Sequence, residues 1–225
     1  MLKNDKLYIR INWLYPLTNT RFFCFAAVLA IPGCRMTLRH TMRLYSVLLL
    51  ISLIITMLQI PALQTVAEWN AALIRQGQWW RILTGNFTHT NLPHMGMNLL
   101  ALWVMGYLFQ PTVKSFLTTL FFTSLFVGAA ILLSSMQVYV GLSGALHGIF
   151  TYYALSEALS GRKSSWLLVV GVVAKIAWEQ LYGASPETAS LIGARVAIEA
   201  HLAGGIAGGC LAGIYNLRKN IQLTQ

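Results

Sequence analysis

Acidic side chains are nearly missing from this sequence: its 225 residues hold only six Asp and Glu, and the single aspartate is Asp5. Charged residues of every kind reach 10%, where an ordinary soluble domain carries roughly a quarter. So few charges cannot coat a soluble surface of this size. With 56% hydrophobic residues, the same shortage excludes an intrinsically disordered chain. Cysteine is scarce too. Cys24, Cys34 and Cys210 are odd in number and widely spaced, which excludes a disulfide framework and a zinc motif. Because Asp5 lies in the N-terminal tail, any mechanism that needs an aspartate in the core is excluded. What is abundant is apolar, with a mean hydropathy of +0.62. The composition is that of an all-α polytopic membrane protein. In such a chain a net charge of +10 reports topology, and no nucleic-acid partner is expected.

A helix needs about 20 apolar residues to cross the hydrocarbon layer. On that ruler six spans are expected, at about 44–63, 93–110, 116–133, 143–157, 165–182 and 196–217. Lys and Arg test the division. With the N-terminus cytoplasmic, twelve basic residues fall inside, only Arg75, Arg81 and Arg195 fall outside, and Lys175 lies within a span. That asymmetry predicts six helices with both termini in the cytoplasm. The expected organisation is a basic cytoplasmic segment over 1–43, a membrane domain over 44–217 and a cytoplasmic tail over 218–225. Within the first segment, Phe22–Pro32 is too short to span; it reads as an interfacial stretch, or as upstream of a start at Met36 or Met42. The stretch 64–90, with Trp69, Trp79, Trp80, Arg75 and Arg81, fits the outer headgroup layer.

Polar groups inside spans are costly and therefore candidates for function. They are His94, Asn98, Ser143, His147, Lys175, Glu179, Glu199 and His201, with His89 just outside. At 1.5 Å of rise per residue, Asn98, Ser143 and His201 each lie about 9 Å below the outer face. Three separate helices thus bring their polar groups to one layer.

Ser143 opens a helix in Gly141-Leu142-Ser143-Gly144-Ala145-Leu146-His147-Gly148. Amides of a first helical turn lack internal partners and carry the positive end of the dipole. A serine there can attack a carbonyl while its own amide faces the developing oxyanion. The competing reading is a loop and helix cap. His201 precedes the small-residue face of Gly204 and Gly208 by three residues. If that face packs on Gly144 and Gly148, His201 meets Ser143 as its general base. His94 and Asn98, one turn apart, suit oxyanion donors. With no core Asp, and Glu199 about 200° round the helix from His201, the expectation is a Ser–His dyad. Lys175 and Glu179 are one turn apart and read either as a neutralising pair or as a substrate contact, and Glu199 stays open in the same way.

These motifs resemble the rhomboid intramembrane serine proteases. The resemblance rests on Trp80-Arg81, on His89, His94 and Asn98, on Gly141-x-Ser143-Gly144-x3-Gly148, and on Ala200-His201-x2-Gly204-x3-Gly208. It covers about residues 44–217 and implies a six-helix rhomboid-like bundle. It also implies Ser143 as nucleophile, His201 as base, and His94, Asn98 and the Ser143 amide as oxyanion donors, with Gly141, Gly144, His147 and Gly204 in support. Rhomboids generally carry Tyr where this chain has His147. His147, Ala177-Trp178-Glu179-Gln180 and Glu199-Ala200-His201 look like the rhombosortase branch. That branch implies a protease of the bacterial inner membrane, opening to the periplasmic side. Its substrates are single-span proteins with a C-terminal Gly-Gly, an apolar helix and a basic tail. No cofactor and no metal is expected.

Three other readings compete. A non-catalytic rhomboid-like protein would lack Ser or His at these positions. A metal-dependent enzyme would use the four outer histidines, but has no His-Glu-x-x-His arrangement. A transporter would use Lys175 and Glu179 as a relay, without the repeat such folds carry.

Overall fold

The computed structural model describes residues 32–223, with side chains for 40–222. In chain order the helices are α1 (Pro32–Met57), α2 (Pro61–Ala67), α3 (Ala71–Arg75), α4 (Arg81–Thr84), α5 (Leu92–Phe109), α6 (Val113–Ile131), α7 (Ser143–Leu159), α8 (Ser165–Tyr182), α9 (Pro186–Ile192) and α10 (Ile198–Leu223). Two short strands, β1 (Trp69–Asn70) and β2 (Val138–Tyr139), pair antiparallel with Trp69 opposite Tyr139. Residues up to 31 and beyond 223, including most of the short apolar stretch at 22–32, lie outside the described residues.

Local chemistry sets the helix ends. The Asn91 side chain accepts from His94 N at 2.9 Å and starts α5, with Pro93 in the first turn. Thr112 accepts from Ser115 N at 3.2 Å and starts α6. Each cap satisfies an amide that the helix cannot. Three ends differ from the sequence expectation. The first span was expected to reach Leu63, but α1 stops at Met57, and Pro61, which has no amide to continue a helix, opens α2. At its other end α1 starts at Pro32, inside the segment expected to be tail. Similarly α10 runs through Arg218 and Lys219 to Leu223. Those charges mark where the apolar run ends, not where backbone hydrogen bonding ends.

Three helical stretches, His40–Met57, Leu92–Phe109 and Val113–Ile131, are long and apolar enough to cross a membrane. Helices α8 and α9, bent by 89° at their junction, form a fourth if taken as one span. Leu100, Val104, Tyr107, Phe121, Leu167 and Val170 lie exposed on these helices. Apolar surface of this extent requires lipid to cover it. The protein is an integral membrane protein built as a helical bundle.

Helix α7 is the centre of the unit formed by His40–Gln225, packed against α5, α6, α8 and α10. Its tightest partner is α10, and glycines make that approach. A Cβ at Gly204 would stand 1.8 Å from Gly144 O, and one at Gly208 would stand 2.1 Å from Gly148 O. The two backbones touch, which only residues without side chains permit. Buried Trp69 donates its indole N–H to Gly128 O of α6 at 2.8 Å. Arg81, also buried, donates to Glu68 O and Gln78 Oε1, each at 2.7 Å, and Trp80 donates to Val66 O at 3.1 Å. Trp69 thus ties this segment to α6, and Trp80 and Arg81 hold its turns together.

Candidate active site

Helix α7 begins where the backbone turns through Gly141 at φ 121°, a conformation that side chains disfavour. A Cβ on Gly141 would also lie 2.7 Å from His94 Cε1. The turn therefore needs glycine both for its shape and for the close approach of His94. Ser143 follows as the first residue of α7, and Leu142 before it supplies no side-chain cap. An amide at the first helical position has no partner within its own helix.

Across the glycine contact, His201 Nε2 lies 2.8 Å from Ser143 Oγ. The two residues are 58 apart in the chain, and His201 is 5% exposed. The packing of Gly204 on Gly144 sets this distance, because each glycine is within one turn of its reactive neighbour. On the other side of the imidazole, Nδ1 lies 2.8 Å from Glu179 Oε2 of α8, and Glu179 is 3% exposed. The sequence placed no carboxylate beside His201 from its own helix; the one that reaches the ring comes from a neighbouring helix. Glu179 also pairs with Lys175 through its other oxygen. Lys175 and Glu179 are therefore paired, and the pair also carries a contact to His201.

His147 stacks on His201, with ring centroids 4.1 Å apart and planes 17° apart, and its Nδ1 donates to Ser143 O at 2.8 Å. One ring wall and one fixed serine carbonyl follow from this single residue. Glu199 pairs with Arg195.

His94 and Asn98 are both buried on α5. One Asn98 Nδ2 proton goes to His94 O at 3.2 Å, which leaves the second available to the cavity. His94 is held from behind. Thr90 Oγ1 donates to Ile192 O at 2.6 Å and lies 3.1 Å from His94 Nδ1. With its only proton spent, Thr90 accepts from Nδ1–H, so Nε2 of the neutral ring bears a lone pair beside Gly141. In that state His94 Nε2 offers no proton to the cavity, whereas Asn98 Nδ2 does. Behind it, His89 is fully buried, packs edge-on against His94 at 5.0 Å, and has no hydrogen-bond partner for either ring nitrogen among the described residues. Burial, with His94 beside it, pushes His89 down to about 3, so it stays neutral.

A cavity of about 320 Å³ opens between α5, α7 and α8. Asn98 and Ser143 line it with Met105, Leu146, Phe150 and Lys175. Polar groups meet an apolar channel here, an arrangement that suits an apolar peptide segment. His147, Glu179 and His201 lie close enough together to raise the question of a metal. The stacked imidazoles answer it: their in-plane lone pairs run side by side and do not converge on a point about 2.0–2.1 Å from each. Both nitrogens of His201 already have partners. The donor set does not fit a metal ion.

Comparison with known proteins agrees in kind. The Rhomboid domain family matches residues 76–219. The chain is similar to Rhomboid protease GluP of Bacillus subtilis (strain 168), 34% identical over 94 residues. That stretch is 41% of this chain and 18% of GluP, so the chain spans a minor part of that relative's length. Of the residues in the site, Glu179 is the one whose place sequence reasoning missed; its signals were a carboxylate retained inside an apolar span and its i, i+4 relation to Lys175. Spanning helices, the glycine-packed α7 and α10, and a match over most of its length make this chain a member of the Rhomboid domain family.

Proposed function

We propose that this protein is an intramembrane serine endopeptidase, with Ser143 as nucleophile and His201 as general base. The observation that supports this most is the 2.8 Å contact between Ser143 Oγ and His201 Nε2, made across two helices inside an apolar bundle. In the first step Ser143 Oγ bonds to the scissile carbonyl carbon while its proton passes to His201 Nε2. The oxyanion so formed faces the Ser143 amide and Asn98 Nδ2–H, with His94 joining when its ring is protonated. The carbon–nitrogen bond then breaks, and His201 returns the proton to the leaving amine. Water, deprotonated by His201 in turn, releases the acyl group from Ser143.

We further propose six spans with both termini cytoplasmic, a membrane domain over 44–217, and a location in the bacterial inner membrane with the site opening to the periplasmic side. The partners are the lipid bilayer and single-span protein substrates. For specificity, the rhombosortase-like reading is favoured by His147, which stacks on His201 where rhomboids generally carry Tyr. Substrates would then carry a Gly-Gly pair, an apolar helix and a basic tail. A helical carbonyl is shielded and cannot be attacked, and glycine lowers the cost of leaving the helix by about 1 kcal/mol each relative to alanine.

The test is cleavage of two reporters in liposomes, one with a Gly-Gly tail and one with Leu-Leu in its place. Preference for Gly-Gly supports the branch; equal cleavage favours a general rhomboid protease. Replacing Ser143 or His201 by Ala should abolish cleavage of both, and wild-type turnover by either variant refutes the proposed chemistry.

A further inference from the structure

Glu179 is the buried group that the chemistry above leaves unused. A carboxylate inside an apolar bundle is costly unless every lone pair has a partner. Its two oxygens divide the work. Oε1 takes Lys175 Nζ, and Oε2 lies 2.8 Å from His201 Nδ1. An ion pair with Lys175 alone would account for the charge but not for the second oxygen, which points at a ring from another helix.

That contact decides the state of the imidazole. An ionised carboxylate only accepts hydrogen bonds, so Nδ1 of His201 carries the proton and Nε2 bears the lone pair. Nε2 is the nitrogen 2.8 Å from Ser143 Oγ, so the ring is held ready to take the serine proton. When it does, the positive charge that forms lies beside a carboxylate that is already desolvated and already placed. The His147 ring covers the face of the imidazole and Glu179 fixes its rotation about the edge.

We infer that Glu179 is a positioning residue that completes a Ser143–His201–Glu179 chain: it sets the tautomer of His201 and stabilises the imidazolium, with Lys175 as its counter-charge. The inference rests on the serine protease reading. The proton taken from Ser143 stays on His201 until it is given to the leaving amine, and Glu179 remains ionised throughout.

The experiment compares Glu179→Gln and Glu179→Asp in the full chain in liposomes, measuring kcat and KM on a single-span reporter, fluorophosphonate labelling of Ser143, and thermal unfolding in detergent. Glutamine matches the shape but can turn its NH2 toward Nδ1 and impose the wrong tautomer. Glu179→Gln is expected to lower kcat by about 10³- to 10⁴-fold with KM changed less than about threefold and the protein still folded. Labelling should slow in parallel. Glu179→Asp restores the charge at a longer distance and should recover at least about tenfold of the lost kcat. The double variant Lys175→Met with Glu179→Gln leaves no unpaired charge, keeps the protein foldable if the single variant is not, and should show the same loss of kcat. Wild-type kcat in Glu179→Gln or in the double variant overturns the inference. So does Glu179→Asp no better than Glu179→Gln, or failure of both Gln variants to fold, since the carboxylate then serves the fold. Cleavage that survives Ser143→Ala in the same assay sinks the protease reading itself and is separable from every Glu179 outcome.

Discussion

The replacement Gly204→Ala isolates the contact on which the site's geometry depends. The added Cβ would stand 1.8 Å from Gly144 O, where ordinary contact begins at 3.4 Å, so α7 and α10 must part by about 1.6 Å. Gly144 is next to Ser143, and Gly204 is one turn from His201. The Ser143–His201 distance of 2.8 Å would then pass well beyond hydrogen-bond range. A displacement of that order should lower kcat by about 100-fold or more. Overpacking should also cost about 1–3 kcal/mol of stability. The control is the same change elsewhere on α10: a Cβ at Gly209 or Gly213 meets nothing within 4 Å. Those two substitutions should leave kcat unchanged and stabilise the helix by up to about 1 kcal/mol each. Reporter cleavage in liposomes and thermal unfolding in detergent read both effects. Full activity in Gly204→Ala would refute the claim that backbone contact sets the catalytic distance.

Three further outcomes are expected. Asn98→Ala should lower kcat about ten- to a thousandfold, less than Ser143→Ala, and an unchanged rate in the reporter assay would reduce Asn98 to a packing role. Exchanging Lys175 and Glu179 keeps their ion pair but puts an ammonium at His201 Nδ1; cleavage should remain lost in a folded protein, and recovered activity would show that the pair alone matters. His89, held down to about 3 against 6.5 unfolded, binds fewer protons folded than unfolded between those values, so its contribution to stability is full above pH 6.5 and is lost as pH falls toward 3. Thermal unfolding of His89→Gln should accordingly change less than wild type between pH 6.5 and about pH 5, and equal slopes would refute the assignment.

Much of this molecule is legible in its sequence because the signals are local. Apolar runs bounded by charge predict helices, and the observed α5, α6 and α8 start and end within a few residues of those bounds. Gly141, Ser143 and Gly144 at the start of α7 are separated by one or two residues, as are His201 and Gly204 on α10 within a turn, so each half of the site can be read from its own segment. Pro61 also carried a local signal, and its effect on the end of α1 follows from the missing amide alone. The tertiary structure decided what lies between segments. Glu179 shows only its i, i+4 relation to Lys175 in the sequence; that its second oxygen faces His201 depends on the rotation and height of α8 against α10. The tautomer of His94 depends likewise on Ile192, 102 residues from Thr90. Periodicity and capping act within a turn or two of chain, whereas the register between helices is set by which side chains, or which missing side chains, meet at their contact.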